Sequence, residues 1–241
     1  TAGITIRILP NKRELYHPKS QVWMLGDLPC LTIPAPILAG TDFWLKRIFD
    51  LVCSTILLIA FSPLYISIAI LIKLDSPGPI FFKQDRVGLH SKKFKIWKFR
   101  TMVTNAEKLQ AALEAKNEIK DGVLFKLKDD PRITKVGKFL RRYSLDELPQ
   151  LFNVVFGEMS LVGPRPLPLR DVERFKTMHF IRQEVLPGIT GLWQVSGRSD
   201  IDNFEEGVRL DISYIENWSV WLDLKILFKT VGVVFNKTGA Y

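Results

Sequence analysis

The stretch IFDLVCSTILLIAFSPLYISIAILIKL, residues 48–74, decides how the rest of this chain is arranged. It is apolar almost throughout, and a straight helix of this length, at about 1.5 Å per residue, would be long enough to cross a bilayer. Pro63 changes that expectation, because proline has no N–H to donate to Ile59 and its ring clashes with the preceding turn. We therefore predict two helices that meet at Ser62-Pro63.

Basic residues flank both ends of this run. Lys46 and Arg47 precede it, and Lys73, Lys83 and Arg86 lie at its end or just beyond. Basic flanks favour the cytoplasmic side of a membrane, so residues 44–75 are predicted to form a re-entrant helix–break–helix. A kinked single span and a buried helical hairpin remain as alternatives, because proline is tolerated in spanning helices.

A second stretch, RRYSLDELPQ at residues 141–150, contains the candidate chemistry. Asp146 and Glu147 are adjacent there, and Arg141 is among the basic residues just upstream. One carboxylate of such a pair can attack phosphorus or hold a metal ion, while arginine neutralises phosphate oxygens.

The same stretch has a purely structural interpretation. Ser144 and Glu147 have the spacing of a capping box, which would open a helix without any catalytic role. Pro149 would then fall inside the helix, where its missing N–H costs a backbone bond. We therefore expect a helix from Pro149 to Gly157, with the two carboxylates in the turn before it and facing its positive end.

Further basic residues are candidates for binding phosphate. Residues 80–85 and 94–99 predict two strands joined around Gly88, with Lys98 and Arg100 on one face at the end of the second. Arg165 lies between two prolines, which leave its backbone little freedom to lose. Arg198 ends a glycine-spaced stretch, residues 187–198, that is expected to be a loop. Each of these cations could equally be a solvated surface charge.

The remaining segments are simpler. Residues 1–43 contain a strand-like pattern at residues 5–9 and repeated prolines, which indicate the end of a preceding domain and a linker. Residues 44–241 then form the main domain. Residues 105–120 predict a charged surface helix, and residues 218–235 predict an amphipathic helix that is either interfacial or core-facing.

Composition narrows the classes of partner. A net charge of +9 and a pI of about 9.5 favour anionic partners, such as phosphorylated substrates, lipid headgroups or nucleic acid. The two cysteines indicate neither a disulfide framework nor a cysteine metal site, and the three histidines lack ligand spacing.

Taken together, these motifs resemble the bacterial sugar transferase family, the monotopic phosphoglycosyl transferases. The resemblance covers about residues 44–241 and rests on motifs that occur in the family's order. They are Ser62-Pro63, Lys98-Phe99-Arg100-Thr101-Met102, Asp130-Pro131-Arg132-Ile133-Thr134, Ser144 to Gln150, Gly163-Pro164-Arg165-Pro166, and Pro187 to Gly191 with Gly197-Arg198.

The resemblance implies a fold and an activity. The fold is α+β and mostly helical: a monotopic membrane protein with a re-entrant helix–break–helix, a small β-hairpin and interfacial amphipathic helices. The activity is transfer of a sugar-1-phosphate from a UDP-sugar to undecaprenyl phosphate, with release of UMP, at the cytoplasmic face of the bacterial inner membrane. It would initiate exopolysaccharide, capsule or O-antigen assembly. The lipid bilayer is an expected partner, a homo-oligomer is left open, and nucleic acid is not expected.

Site residues follow from the same resemblance. Asp146 corresponds to the nucleophile and Glu147 to a residue that helps to hold Mg²⁺, with both carboxylates as candidate metal ligands. Five basic residues are expected to offset the negative charge of the diphosphate: Lys98, Arg100, Arg141, Arg165 and Arg198. Two alternatives are a non-enzymatic, membrane-attached polyanion binder, which leaves the acidic pair unexplained, and a two-metal phosphodiesterase, which needs more acidic or histidine ligands than the sequence shows.

Overall fold

A computed structural model describes residues 21–25, 28–32, 40–104, 106, 130–197 and 204–235. Its helices, numbered in chain order, are α1 (Thr41–Ala60), α2 (Ser62–Asp75), α3 (Lys135–Arg142), α4 (Gln150–Val155), α5 (Leu169–Val172), α6 (Leu192–Val195), α7 (Phe204–Glu216) and α8 (Val220–Phe235). Its strands are β1 (Gln21–Leu25), β2 (Leu28–Thr32), β3 (Phe81–Val87), β4 (Lys93–Phe99), β5 (Ser160–Val162) and β6 (Gly188–Thr190). Short 3₁₀ turns lie at Leu89–Ser91, Leu145–Glu147 and Thr177–Gln183.

The break between α1 and α2 lies where the sequence predicts it. The two helices meet at Phe61 with a bend of 60°. Pro63 cannot donate to the carbonyl of Ile59, and the Ser62 hydroxyl donates to that carbonyl instead, at 2.8 Å. The pair Ser62-Pro63 therefore bends the backbone and satisfies the acceptor that the bend exposes.

The first helix begins before the apolar run that predicts it. It begins at Thr41 and has 20 residues, or about 30 Å of helix, whereas α2 has 14. In the part of the chain that the structure describes, no individual helix combines the length and the hydropathy needed to cross a bilayer. The bent pair meets both criteria when its two helices are taken together.

A buried polar stripe holds α1 against the rest of the protein. Lys46, Asp50 and Ser54 follow one another at four-residue spacing and are all buried. The Lys46 ammonium contacts Asp50 at 3.3 Å and Asp223 of α8 at 2.6 Å. Asp50 also accepts the backbone N–H of Leu161 in β5 at 3.1 Å. Because each charge has a partner, these ionised groups can lie in the interior.

Apolar side chains are exposed on the outer surface of the same elements. Phe228 of α8, for example, is 75 % exposed. The exposed set on α1, α2 and α8 is Trp44, Leu45, Ile48, Leu51, Val52, Ile56, Ile59, Ile66, Ile70, Leu71, Leu74, Trp221, Phe228 and Val231. Such an extent of apolar surface is unusual for a protein surrounded by water alone.

Two small sheets complete the part of the fold that positions the site. The antiparallel hairpin β3–β4 pairs Phe81 with Phe99 and Val87 with Lys93, which confirms the predicted hairpin. Strands β5 and β6 are parallel, with Ser160 opposite Gly188. A Cβ on Gly188 would come within 2.1 Å of the backbone nitrogen of Gly163, so this close approach requires glycine.

The mostly helical α+β architecture is confirmed, and one detail differs from the sequence expectation. The stretch 187–198 is not a simple loop, because it contains β6 and α6. Strands β1 and β2 pair as a hairpin within residues 1–43, the segment expected to contain the end of a preceding domain and a linker. The helix predicted at residues 105–120, apart from residue 106, and the strand at residues 5–9 lie outside the described residues.

We predict that Lys46→Met lowers the free energy of unfolding by about 3–5 kcal/mol, because it leaves Asp50 and Asp223 buried without their cation. Lys73→Met on the exposed surface of α2 is the matched control and should change stability by less than about 0.5 kcal/mol. Denaturant unfolding of both variants measures the difference. Equal changes in unfolding free energy for the two variants would show that the buried contacts of Lys46 do not stabilise the fold.

Candidate active site

The turn Leu145–Glu147, called here the carboxylate turn, connects α3 to α4. Ser144 before it is in the left-handed region with φ of 54°, and its side chain makes no capping hydrogen bond. Helix α4 begins at Gln150, directly after Pro149, and Gly157 beyond its end has φ of +84°. The arrangement with the acidic pair before a proline-initiated helix is therefore the one that forms, and the capping box does not.

Glu147 is held by two cations from separate parts of the chain. The Lys98 ammonium donates to its Oε1 at 2.7 Å. The Arg165 guanidinium donates to Oε1 at 2.6 Å and to Oε2 at 3.3 Å. Charge-assisted, two-pronged contacts of this kind fix both distance and orientation. The two attachments hold the carboxylate turn between β4 and the proline-flanked segment around Arg165.

Asp146 has a different environment. It is only 8 % exposed, and among the described residues nothing donates a hydrogen bond to its carboxylate. Burial raises the pKa of this carboxyl above its usual range, and Lys98 is the strongest influence that lowers it again. The pKa is also raised by Glu147 and lowered by Arg141 and Arg165. The group is thus a desolvated carboxylate whose oxygens are not already committed.

The bound cations retain donors for a further anion. Arg165 uses two of the five N–H groups of a guanidinium on Glu147, and Lys98 uses one of three. Burial acts to lower the pKa of Arg165, but Glu147 and Asp146 outweigh it and the pKa is raised. Arg165 therefore stays charged beside the two carboxylates.

Helix α3 brings Arg141 to the same region. Its Nε donates to the Thr101 hydroxyl at 2.9 Å. A Cβ on Gly137 would lie 2.1 Å from the carbonyl oxygen of Thr101. Only glycine therefore lets α3 pack this closely against the segment that follows β4. Burial lowers the pKa of Arg141, with Asp146 as the main influence that raises it. Arg141 therefore acts on Asp146 at a distance, through its charge.

Arg100 is not brought into this cluster. Its guanidinium donates to the carbonyl of Pro77 at 2.7 Å and to the carbonyl and hydroxyl of Ser76 at 2.6 and 3.0 Å. These acceptors lie at the end of α2, where the last carbonyls of a helix have no partner within it. Arg198 lies outside the described residues, and Ser62 and Pro63 form the bend described above.

Two arginines that sequence reasoning did not assign to the site, the half-buried Arg86 and the buried Arg182, support Arg165. Arg86 donates to the carbonyl of Pro166 at 3.2 Å, and Arg182 donates to the carbonyl of Arg165 at 3.1 Å. Arg182 is neutralised by Asp211 at 2.7 Å. Burial, and then repulsion by Arg165, lowers the pKa of Arg86 to about 10. No local pattern distinguishes these arginines from surface ones, because their partners are distant in sequence.

The acidic pair fits a magnesium ion only in the company of a substrate. Mg²⁺ takes oxygen ligands and in phosphate-transfer sites binds one or two carboxylates together with substrate phosphates and water. Asp146 supplies uncommitted carboxylate oxygens, and Glu147 is adjacent. Among the described residues, no group of three or more His, Cys, Asp or Glu side chains could hold a metal. The remaining ligands would therefore come from phosphate and water.

Comparison with known proteins gives one consistent family. The family model described as bacterial sugar transferase matches residues 41–237. An undecaprenyl-phosphate galactose phosphotransferase of Salmonella typhimurium is 43 % identical, over 98 % of this chain and 50 % of that protein. A UDP-glucose:undecaprenyl-phosphate glucose-1-phosphate transferase of Escherichia coli K12 is 40 % identical, over 98 % of this chain and 50 % of that protein.

A shorter relative is matched over most of its own length. The exopolysaccharide production protein ExoY of Sinorhizobium fredii is 41 % identical, over 81 % of this chain and 88 % of that protein. The chain spans about half the length of the Salmonella and Escherichia relatives. Since the family match includes the bent helix pair, the carboxylate turn and the segment around Arg165, this chain belongs to the bacterial sugar transferase family.

Proposed function

We propose that this chain transfers a hexose-1-phosphate from a UDP-hexose to undecaprenyl phosphate, as the first step of a surface polysaccharide. The observation that supports this most is the uncommitted, buried carboxylate of Asp146 beside a Glu147 that two cations already hold. A carboxylate in this position can serve as a nucleophile toward phosphorus. Relatives named for galactose and for glucose are similarly close, so a hexose is proposed and not one particular sugar.

In the first step, an Asp146 oxygen attacks the β-phosphorus of the UDP-sugar. A bond forms between that oxygen and phosphorus, the bond from this phosphorus to the bridging oxygen breaks, and UMP leaves with the electron pair. Lys98 and Arg165, which both contact Glu147, donate hydrogen bonds to the phosphate oxygens, and Arg141 adds positive charge. Preorganised donors of this kind stabilise charge as it develops on the phosphoryl group.

In the second step, an oxygen of the lipid phosphate attacks the same phosphorus. The bond to Asp146 breaks, the carboxylate is restored, and the product is a polyprenyl diphosphate sugar. No proton transfer is needed in either step, because each leaving group departs as an anion. Mg²⁺, held by Asp146 and Glu147 together with phosphate oxygens, would neutralise part of the diphosphate charge.

We further propose that α1 and α2 are re-entrant in the cytoplasmic face of the bacterial inner membrane, and that α8 lies along the interface. Three features support this: the 60° bend, the exposed apolar side chains and the basic flanks. The hydroxyls of Ser54, Thr55 and Ser67 bond to carbonyls of their own helices, as Ser67 does to Pro63 at 2.9 Å. This suits an environment without water.

A polyanion-binding protein without catalysis is a weaker proposal. It accounts for the positive charge and the apolar faces, but a binder of anions gains nothing from a buried carboxylate among its cations. A two-metal phosphodiesterase is also disfavoured, because the described residues contain no larger cluster of metal ligands.

The covalent route predicts a burst of UMP. UDP-sugar alone, without lipid, should release up to one equivalent of UMP per enzyme, and mass spectrometry should detect a phosphosugar on the protein. Asp146→Asn should abolish both signals, because an amide of the same shape is a poor nucleophile. Glu147→Gln should slow the burst and alter its Mg²⁺ dependence. A protein without an adduct, together with kinetics in which both substrates bind before UMP leaves, would exclude the covalent intermediate.

The pKa of Asp146 predicts how the loss of Lys98 depends on pH. Asp146 must be ionised to attack, and Lys98→Met removes the strongest influence that lowers its raised pKa. The burst rate of the variant should therefore be furthest below wild type at low pH and recover in part as pH rises, over about pH 5.5 to 8.5. Lys95→Met, exposed on the same strand, is the control. A deficit that is constant with pH would contradict this explanation.

Lysine substitutions should distinguish the two arginines. Arg165→Lys should lose at least about tenfold in turnover with normal stability, because lysine lacks the planar fork that holds Glu147. Arg100→Lys should instead lower the unfolding free energy by about 1–3 kcal/mol, since partly buried carbonyls at the end of α2 lose donors. Its turnover per folded molecule should stay near wild type. Loss of turnover with normal stability in Arg100→Lys would instead place Arg100 in the site.

The membrane proposal predicts that both ends of the bent pair face the cytoplasm. Single cysteines at the exposed positions Asp42 and Pro79, in a chain whose native cysteines are replaced by serine, should resist an impermeant thiol reagent in intact cells. Both should react after lysis. Labelling of one site but not the other in intact cells would indicate a span and overturn the re-entrant arrangement.

A further inference from the structure

Tyr65 connects the bent helix pair to the carboxylate turn. It lies in α2, two residues after Pro63, and its hydroxyl donates to the backbone carbonyl of Leu148 at 2.5 Å. Leu148 is the residue directly after Glu147. Its N–H bonds to the carbonyl of Leu145 at 3.3 Å and so closes the carboxylate turn. The Tyr65 hydroxyl therefore holds the last peptide of this turn from outside it.

A closed ring of five aromatic side chains surrounds this contact. Tyr65 packs on Phe99 and Phe152, with ring centroids 5.3 and 6.0 Å apart. Phe81 joins Phe99 at 5.5 Å and Trp97 at 5.8 Å, and Trp97 completes the ring with Phe152 at 6.0 Å. The members come from α2, β3, β4 and α4, so the ring fixes Tyr65 relative to β4, which leads to Lys98, and to α4, which follows the turn.

The ring also holds the strand that carries Lys98. Trp97 and Phe99 are in the ring, and Lys98 between them reaches Glu147. Consecutive residues of a strand point to opposite sides. The position of the lysine on one side of β4 is therefore set by the aromatic packing on the other. Tyr65 is the member of the ring whose hydroxyl bonds directly to the backbone of the turn.

We propose that Tyr65 is a positioning residue for the phosphoryl transfer. Its hydroxyl fixes the backbone of the carboxylate turn against α2, and the rate at which Asp146 attacks phosphorus depends on that bond. This inference rests on the proposed function and extends it, because it makes the bent helix pair a part of the catalytic geometry and not only an anchor.

The proposal specifies which kinetic constant changes. The donors that bind phosphate belong to Lys98 and Arg165, and their own contacts do not involve Tyr65. Loss of the hydroxyl should therefore leave the apparent affinity for the UDP-sugar almost unchanged. The attack needs the Asp146 oxygen in line with phosphorus, and small displacements are costly there. The burst rate should fall by about three- to tenfold, the effect expected for one hydrogen bond.

The test compares Tyr65→Phe with Tyr214→Phe. Both keep an aromatic ring and remove a hydroxyl that bonds to a backbone carbonyl, since Tyr214 donates to Val162 at 3.0 Å and also to Asp223 at 2.8 Å. Tyr65→Phe should slow the UMP burst with unchanged amplitude and unchanged dependence on UDP-sugar concentration. Tyr214→Phe should lower the thermal midpoint and leave the burst rate per active enzyme as in wild type.

A second measurement does not require activity. In hydrogen–deuterium exchange, peptides that contain Leu145–Leu151 should exchange faster in Tyr65→Phe than in wild type, while those from α8 should not. A normal burst rate and normal exchange at the turn would overturn the proposal. So would a smaller burst amplitude with a normal rate, which indicates misfolded enzyme. If the wild-type protein gives no burst, the proposed function fails, and the exchange data alone then decide whether Tyr65 positions the turn.

Discussion

The double attachment of Glu147 is the interaction on which the candidate site depends. One carboxylate joins Lys98 of β4 to Arg165 of the proline-flanked segment, at 2.7 and 2.6 Å. All three groups are largely removed from water. In such surroundings a charge without its partner would be strongly destabilising. Each therefore holds the other two in place. Asp146 keeps its oxygens uncommitted because Lys98 and Arg165 direct these hydrogen bonds to its neighbour.

The ends of helices are joined to the rest of the protein by arginine. Arg47 of α1 donates to the carbonyls of Val154 and Val155 at the end of α4, and Arg100 donates to Ser76 and Pro77 at the end of α2. Each satisfies carbonyls that a helix terminus leaves unpaired and adds a favourable charge there. Helices with apolar outer faces are thus fastened by polar contacts on their inner side.

Local sequence rules predicted the features of the fold that depend only on residues close together in the chain. Proline chemistry alone located the bend at Pro63 and the start of α4 after Pro149. The same rules failed for Arg100, which lies one residue beyond the end of β4, where strand alternation no longer fixes the side chain's direction. The parallel pairing of β6 with β5 was equally inaccessible, because it depends on the close approach of Gly163 and Gly188.

The electrostatics of Asp146 also differ from the sequence argument. The sequence argument placed this carboxylate at the positive end of a helix, but α4 has only six residues and burial raises the pKa of Asp146. Lys98, Arg141 and Arg165 provide the opposing charge. Three cations face two carboxylates, so one positive charge is in excess and attracts a diphosphate. In the proposed reaction, the bond from Asp146 to phosphorus neutralises the carboxylate, and the attached phosphodiester carries one negative charge in its place, so the positive excess is the same after UMP leaves. The same cations are then available to the incoming lipid phosphate, so one set of residues serves both steps.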